Sequence, residues 1–512
     1  MIDLFKVNMH SDVADMLKTT INSGSITQGK KVEEFEQLLQ KYLNVDYVLT
    51  VNSATSGLTL AYKLLDLKDD ELVLSTPLTC FATNAAILAN DLDIVWCDTD
   101  VNTCNIDLDD VKAKLTMKTR ALSFVHWGGT PINYDKLQDI KKYAYEKFGN
   151  VLNIIEDCAH AFGSTYKNKK IGSFGNISVF SFQAIKHLTT GDGGCIVLPN
   201  KEMYERAKLL RWFGIDREKR SKPSTDFRLE NDIVEYGYKW HMNDINATIG
   251  IANITKIDEI LDKCVKNAEY LSTSLKHLKG LELFDINEHS RPSYWIFTLK
   301  VLDGRKNDFI KFMKDSDIVV SQVHQRNDTH SCLSKYRSTL VNLDIIEKQI
   351  ISIPCGWWLT KENLQYIINT IKEFFNECYI SKLHRKDMQM YKALITEFNG
   401  FTKFNDDNTI NIDNVYALKI GTKVISIASL YIDYKYGDPI GRIEDVVVTK
   451  KYRRQGYGIQ IVEYLTKIAI DKYMCYKVLL NSDDSNVKFY ENCGFNVYGK
   501  AMESTAAIPQ LE

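Results

Sequence analysis

The sequence predicts an α/β protein: a large body with a smaller α+β lobe, followed by a second, smaller α/β domain. Three observations predict it. Strand-like apolar runs alternate with amphipathic helical runs from about Val32 to Tyr270. The alternation then becomes mixed and ends near Cys378. Finally, the short charged stretch Ile380–Met390 reads as a junction, with enough chain beyond it for one small domain. At 512 residues the chain exceeds what one core supports. The expected division is 1–380 and 381–512.

The elements follow in order. Val32, Phe35, Leu38, Leu39 and Tyr42 recur at helical spacing. Tyr47–Val51 reads as a buried strand and Ser56–Leu65 as a helix. The unit repeats as Leu72–Ser75 with Phe81–Ala89, Ile94–Cys97 with Leu108–Leu115, and Ala121–Val125 with Tyr134–Phe148, before the strand Leu152–Glu156. This alternation predicts a sheet with many parallel strands. In the C-terminal part, strands gather at Val415–Ile420, Lys423–Ile432 and Arg442–Val448. A helix follows at Ile459–Ile470, a strand at Lys477–Asn481 and a helix at Asn486–Glu491.

Composition narrows the function classes. Hydrophobic residues make up 45% and charged residues 25%, as in ordinary globular proteins. A net charge of -2 gives no basic excess to attract nucleic acid or an anionic membrane. The segment from Met1 to Asp12 has no apolar core of a signal peptide, and no apolar run spans a bilayer. Eleven scattered cysteines with no Cys-x-x-Cys pair point to reduced thiols in a cytoplasm rather than disulfides or zinc.

Three features suggest a site for pyridoxal 5'-phosphate (PLP), which needs a lysine amine, a carboxylate for its pyridine nitrogen and a phosphate cradle. Asp157 ends the apolar run in LNIIEDCAH, where a strand-end carboxylate can keep the pyridine nitrogen protonated. Ser181 and Lys186 lie at a strand-to-loop transition in VFSFQAIKHLTTGDGG. Ser53–Gly57 joins a strand to a helix, where backbone N–H groups and hydroxyls favour an anion. Each alone is weak: a single lysine is usually a surface residue.

Six ordered blocks raise the specificity: ITQGKKVEEFE (26–36), NSATSGLTLAY (52–62), TPLTCFATNAA (76–86), EDCAHAFGSTYKNKKIGSFG (156–175), FSFQAIKHLTTGDGG (180–194) and GYKWHMNDINATIG (237–250). From about Gly24 to Trp358 the chain resembles the DegT/DnrJ/EryC1/StrS family of PLP-dependent nucleotide-sugar aminotransferases. The resemblance implies the aspartate-aminotransferase-like (type I) fold and a homodimer with shared active sites. It matches Lys186 to the Schiff-base lysine, Asp157 to the pyridine-nitrogen partner and His160 to the position beside the phenolic oxygen. It matches Thr55, Ser56 and Ser181 to phosphate ligands. Lys239 and Asn243 are the candidates to complete the neighbouring subunit's phosphate site. Cys80 stands at the ring-stacking position, which is often aromatic in the family. Relatives with histidine in place of the lysine dehydrate instead; Lys186 here, followed by His187, favours transamination. In SQVHQRNDTH (321–330), His324 and Arg326 are candidates to touch the phosphate or sugar of a nucleotide sugar.

In RIEDVVVTKKYRRQGYGIQIVEYL (442–465), Arg453, Arg454, Gln455, Gly456 and Gly458 form a basic Gly turn before a helix, a place for a pyrophosphate. With CYKVLLN (475–481) and NVKFYENCGF (486–495), the region from about Ile412 to Phe495 resembles the GCN5-related N-acetyltransferases (GNAT), nearest the glucosamine-6-phosphate branch. The resemblance implies acetyl-CoA on that turn, with pantetheine beside Val446 and Val448. It matches Tyr490 to the group that stabilises the departing thiolate, and Glu444 and Asp445 to positions near the acceptor. Glu444 is a candidate base. Asn481 replaces an aspartate of that branch, so a different acceptor is expected.

The expected activity is amination of a keto nucleotide sugar, 4-keto-6-deoxy, with L-glutamate as donor, followed by N-acetylation. Two alternatives remain: a 3-keto substrate, or a PLP-fold regulator carrying an unrelated acetyltransferase.

Overall fold

The computed structural model describes residues 1–217, 232–375, 378–383, 385–399, 411–420, 423–435 and 437–498. The chain divides into two compact units, Met1–Leu364 and Gln365–Glu512.

The first unit is built on a seven-stranded sheet. Its strands are β1 (Val48–Val51), β2 (Leu72–Ser75), β3 (Asp93–Trp96), β4 (Thr119–Val125), β5 (Asn153–Asp157), β6 (Ile177–Ser181) and β7 (Gly194–Val197), in the order β1-β7-β6-β5-β4-β2-β3. Strands β6, β5, β4, β2 and β3 pair in parallel, as the alternation predicts. β7 runs antiparallel between β1 and β6. The reason is local: residues 182–193 form no helix that would carry the chain back to the starting end of the sheet.

Both faces of this sheet are covered. Leu74, Phe124, Ile154 and Phe180 join one apolar cluster; their neighbours Val73, Val125, Ile155 and Val179 join the other. Side chains alternate along a strand, so two-sided burial makes each strand an unbroken apolar run. A three-stranded antiparallel sheet, β8 (Leu281–Leu283), β9 (Phe297–Val301) and β10 (Ile350–Ile353), forms the small lobe.

Two distant sequence blocks meet through one carboxylate. Asp244, 2% exposed, accepts hydrogen bonds from the N–H groups of Gly29 (2.8 Å) and Val32 (3.1 Å). It therefore satisfies donors at the N-terminus of helix Lys30–Leu43 and brings a negative charge to the positive end of its dipole. The helix that Asp244 itself begins, Asp244–Ile254, packs on it tightly. A Cβ on Gly250 would lie 2.5 Å from Phe35 Cζ.

The second unit is a five-stranded sheet in sequential order: β11 (Cys378–Lys382), β12 (Val415–Ile420), β13 (Lys423–Lys435), β14 (Asp438–Val448) and β15 (Lys477–Leu480). All neighbours are antiparallel except β14 and β15. Helix Tyr457–Asp471 packs its buried Ile461, Val462, Leu465 and Ala469 into the core formed with Leu418, Ala428 and Ile443.

The junction differs from the sequence expectation. The two compact units divide at Leu364/Gln365, so Ile380–Met390 falls within the second unit. It holds the end of β11 and the start of helix Met388–Asn399. Tyr379, Ser381 and Leu383 are buried, a period-two pattern obscured by the charged residues beside them. β11 crosses the expected 380/381 boundary and pairs with β12, within the second unit. All eleven cysteines are free. Among the described residues no helix is long and apolar enough to cross a membrane.

Gly250→Val is expected to destabilise the first unit by about 1–3 kcal/mol through overpacking against Phe35. A lower denaturant midpoint for that unit's transition checks it.

Candidate active site

β5 delivers Asp157 at its last residue. The carboxylate accepts the Thr83 hydroxyl on Oδ2 at 2.6 Å and the Ala159 N–H on Oδ1 at 3.0 Å. It is 3% exposed, and burial pushes its carboxyl above the usual range despite these bonds. Among the described residues no cation forms an ion pair with it. Thr83 comes from helix Phe81–Leu88, whose N-cap position is Cys80.

Lys186 lies in the loop after β6. Its Nζ stands 3.5 Å from the centre of the Trp295 indole ring. Among the described residues no acceptor binds Nζ. Burial lowers its pKa to about 8, against the opposing pull of Asp157 and Cys80. Trp295 Nε1 donates to the carbonyl of Ile185 at 2.9 Å, tying the indole to the backbone beside the lysine. Phe5 stacks on Trp295 at 4.9 Å.

His160 stacks on Trp295 at 3.9 Å and its Nε2 lies 3.4 Å from His324 Nε2. Its Nδ1 is buried without a partner, as is His187 Nε2. The structure thus gathers Asp157, His160, Lys186 and His324 around one place, although the sequence separates them widely.

The Ser53–Gly57 turn opens helix Ala54–Leu65. Ser53 Oγ accepts from the Ser56 N–H at 3.1 Å, and Ser56 Oγ donates to Asn52 Oδ1 at 2.7 Å. Among the described residues the N–H groups of Ala54 and Thr55 have no partner. They point out of a helix N-terminus, the usual place for a phosphate. A Cβ on Gly194 would sit 2.8 Å from Ala54 N, so glycine there lets β7 approach this turn. Ser181 is the last residue of β6 and pairs with Gly194. Among the described residues its Oγ accepts only a long 3.4 Å contact from the Gln183 N–H.

Other predicted residues fall differently. The Lys239 carbonyl accepts from Asn52 Nδ2 at 3.2 Å, beside its own chain's turn, while its side chain is exposed. Asn243 caps helix Asp244–Ile254 by accepting the Asn246 N–H at 2.9 Å. Cys80 is exposed and offers no ring. Phe81 turns instead to His330, edge-on at 5.4 Å. The ring that lies against Lys186 is Trp295. Arg326 is corrected: both Asp328 oxygens hold its Nε and Nη2 at 2.8 and 2.7 Å, and Nη1 meets Asp344 and Glu347. Three carboxylates already occupy the fork that was expected to bind substrate.

These residues fit PLP. Asp157 is a buried carboxylate with no ion-pair contact among the described residues, and would face the pyridine nitrogen. Lys186 is a buried amine without an acceptor, and would take the aldehyde carbon. The unpaired His160 Nδ1 would face the phenolic oxygen, and the Ala54–Ser56 turn with Ser181 would hold the phosphate.

The second unit offers another opening. β14 pairs with β15 only from Ile440 to Ile443, opposite Lys477 to Leu480. Beyond these residues Glu444–Val448 has no strand on that side among the described residues. At the same place the register with β13 shifts and Asp445 takes φ +55°, a bulge that redirects the local amides. An extended amide-bearing chain such as pantetheine can pair with the exposed edge beside Val446 and Val448. The Arg453–Gly458 turn follows. Arg454 (φ +62°) and Gly456 (φ +86°) are left-handed, leading into helix Tyr457–Asp471. A Cβ on Gly458 would come within 3.0 Å of Phe489.

Arg453 is exposed but folds back onto its own chain: Nε donates to the Val448 carbonyl at 2.8 Å and Nη2 lies 3.8 Å from Glu397. Its side chain braces the turn, and the turn's backbone is left to meet a pyrophosphate. Glu444 is partly exposed and ion-paired with Arg442 at 3.2 Å. Asp445 accepts the Ser429 hydroxyl at 3.4 Å. Asn481 is exposed just after β15. Tyr490 is half-buried, and burial raises its phenol pKa, so it stays protonated and able to donate.

The fold and the two sites define a PLP-dependent aminotransferase joined to an acetyl-CoA-dependent acetyltransferase domain. The chain matches the DegT/DnrJ/EryC1/StrS aminotransferase family over residues 8–372 and the acetyltransferase (GNAT) family over residues 368–495. It belongs to the first family and carries a GNAT domain behind it. It is 42% identical to AtS13 from Actinomadura melliaura, whose crystal structure superimposes with a TM-score of 0.70 over 72% of this chain and 98% of that one. The sugar aminotransferase CalS13 from Micromonospora echinospora is 38% identical, with a TM-score of 0.70 over 73% and 99%. A UDP-4-amino-4,6-dideoxy-N-acetyl-beta-L-altrosamine transaminase from Campylobacter jejuni is 30% identical over 72% of this chain and 96% of its own length.

Thr83, Trp295 and the pairing of His324 with His160 were not read from the sequence. Thr83 carried one usable signal: it follows Cys80 by three residues, one helical turn. Trp295 carried none.

The pKa of Lys186 has a kinetic consequence. Only its neutral amine attacks an aldehyde, so capture of PLP by the apoprotein is expected to speed up about tenfold per pH unit below 8 and level off above. Stopped-flow absorbance across pH checks this. For the second unit, Tyr490→Phe is expected to slow acetyl transfer about a hundredfold while leaving transamination unchanged, as separate assays of the two half-activities would show.

Proposed function

We propose that the chain is a bifunctional enzyme of amino-sugar biosynthesis. It aminates a keto nucleotide sugar, with L-glutamate as donor, and N-acetylates the new amine with acetyl-CoA. The carrying observation is that the buried Lys186 beside Asp157 and the open edge at Glu444–Val448 occur in one chain. Transamination places a primary amine on a sugar; acetyl transfer consumes one.

A 4-keto-6-deoxy substrate is the favoured form. It is supported by the Campylobacter jejuni relative, whose name specifies a 4-amino-4,6-dideoxy sugar. The enzyme works as a cytoplasmic homodimer. Lys239 and Asn243 serve the partner's phosphate site; the Asn243 oxygen is committed to its own helix, so its Nδ2 is the group on offer.

When bound, PLP supplies an electron sink for charge that develops on the substrate carbon. The chain's residues do the rest. Asp157, fixed by Thr83 and Ala159, holds a proton on the pyridine nitrogen. Lys186, its pKa lowered by burial to about 8, takes a proton from the donor's α-carbon and returns it as general acid. The same lysine runs the second half-reaction in reverse order on the keto sugar. In the second unit the sugar amine attacks the thioester, and Tyr490 donates its proton toward the leaving sulfur. Glu444, across from Ser429 on β14, is the candidate to accept the amine's proton.

The test is a panel of 3- and 4-keto nucleotide sugars, incubated with glutamate, PLP and acetyl-CoA and followed by mass spectrometry. The expected result is an amino sugar from a 4-keto substrate, gaining an acetyl group only when acetyl-CoA is present. Turnover of 3-keto sugars alone would move the amination to C3. An amino sugar that is never acetylated would separate the GNAT domain from the sugar pathway. Turnover of none would replace the enzyme with a ligand-binding regulator.

A further inference from the structure

We propose that His324 is a positioning residue that holds His160 in the tautomer with its proton on Nδ1, ready to donate to the phenolic oxygen of bound PLP. This rests on the placement of His160 beside that oxygen.

Three observations carry it. His160 is 2% exposed, and its Nδ1 has no partner. Its other nitrogen, Nε2, is 3.4 Å from His324 Nε2. The ring planes are 6° apart and the centroids 5.4 Å apart. The nitrogens are much closer than the ring centres, so the two imidazoles meet edge to edge. Trp295 stacks on His160 at 3.9 Å, and Trp127 sets its edge against both imidazoles at 6.1 and 5.9 Å. Neither ring can turn away without disturbing this packing.

Both imidazoles are neutral. Burial lowers His324 to about 4, with Lys186 adding to the effect. Burial also takes His160 well below its ordinary range, and Lys186, His324, His187 and His126 around it all act in the same direction. Two neutral imidazoles joined through Nε2 share one proton: one ring donates and the other accepts. If His324 donates, the lone pair of His160 lies on Nε2 and its proton lies on Nδ1. The unpaired Nδ1 is then a donor, which an anionic phenolic oxygen satisfies. The opposite arrangement would set two lone pairs against each other.

The readout is the visible absorbance of bound PLP. A donor on the phenolic oxygen draws off negative charge, so the neighbouring proton on the Lys186 nitrogen leaves at lower pH. In the holoenzyme, His324→Phe keeps the ring and removes the donor. It is expected to raise the spectral pH midpoint by about half to one unit, as should His160→Phe. His324→Gln, which restores a donor of similar reach, should bring the midpoint back. A shift in His160→Phe with none in His324→Phe overturns the coupling. No shift in His160→Phe overturns the placement of His160, and the proposal with it. If a variant fails to retain PLP, ¹⁵N NMR of histidine-labelled wild-type holoenzyme decides. A His160 proton on Nδ1 supports the proposal, and one on Nε2 overturns it.

Discussion

The buried carboxylate of Asp157, which makes no ion pair among the described residues, is the constraint from which the first unit's site is built. It sits where a central parallel strand ends, in a sheet covered on both faces. A buried charge is costly unless it is paired. Glu156, the preceding residue, shows the alternative outcome. Burial alone would raise its pKa, but His126, Asn176 and Tyr134 outweigh it and hold the carboxyl below its usual range. Adjacent strand residues face opposite sides. One carboxylate therefore belongs to a closed polar network, while the other accepts only the Thr83 hydroxyl and the Ala159 N–H among the described residues and feels the charge of Lys186.

The surrounding elements converge on that carboxylate. The Gly194 approach packs β7 against the Ala54 turn, and the antiparallel course of β7 follows from its short connection to β6. Thr83, one turn into its helix, fixes the Asp157 carboxylate from the adjacent strand–helix unit. Trp295, far along the chain, forms the wall on which Lys186 and His160 rest. This wall excludes water, which is why the lysine amine and the histidines shift toward their neutral forms.

In the second unit the comparable constraint is a sheet that stops pairing. β14 and β15 part after Ile443 and Leu480, and the bulge at Asp445 reaims the free edge. The turn after β14 must stay in register with that edge to receive the rest of a CoA-like ligand. Arg453 holds the two together by bonding the Val448 carbonyl, and Glu397 accepts the Lys450 N–H at 2.6 Å from the other side.

The sequence by itself determined the two-unit organisation and most strands to within a residue or two, and it singled out Asp157 and Lys186, which the fold brings near each other. These are local properties: two-sided burial writes an apolar run, and a Gly turn at a helix start writes its own spacing. The tertiary structure decided the rest. Arg326 became an internal ion-pair hub because Asp344 and Glu347, distant in sequence, fold against it. The first residues of the apparent junction, Ile380–Lys382, became strand because β12 supplied their partner. His160 and His324, 164 positions apart, became one hydrogen-bonded pair. No periodicity records such contacts, because each depends on where two separate stretches of chain are packed.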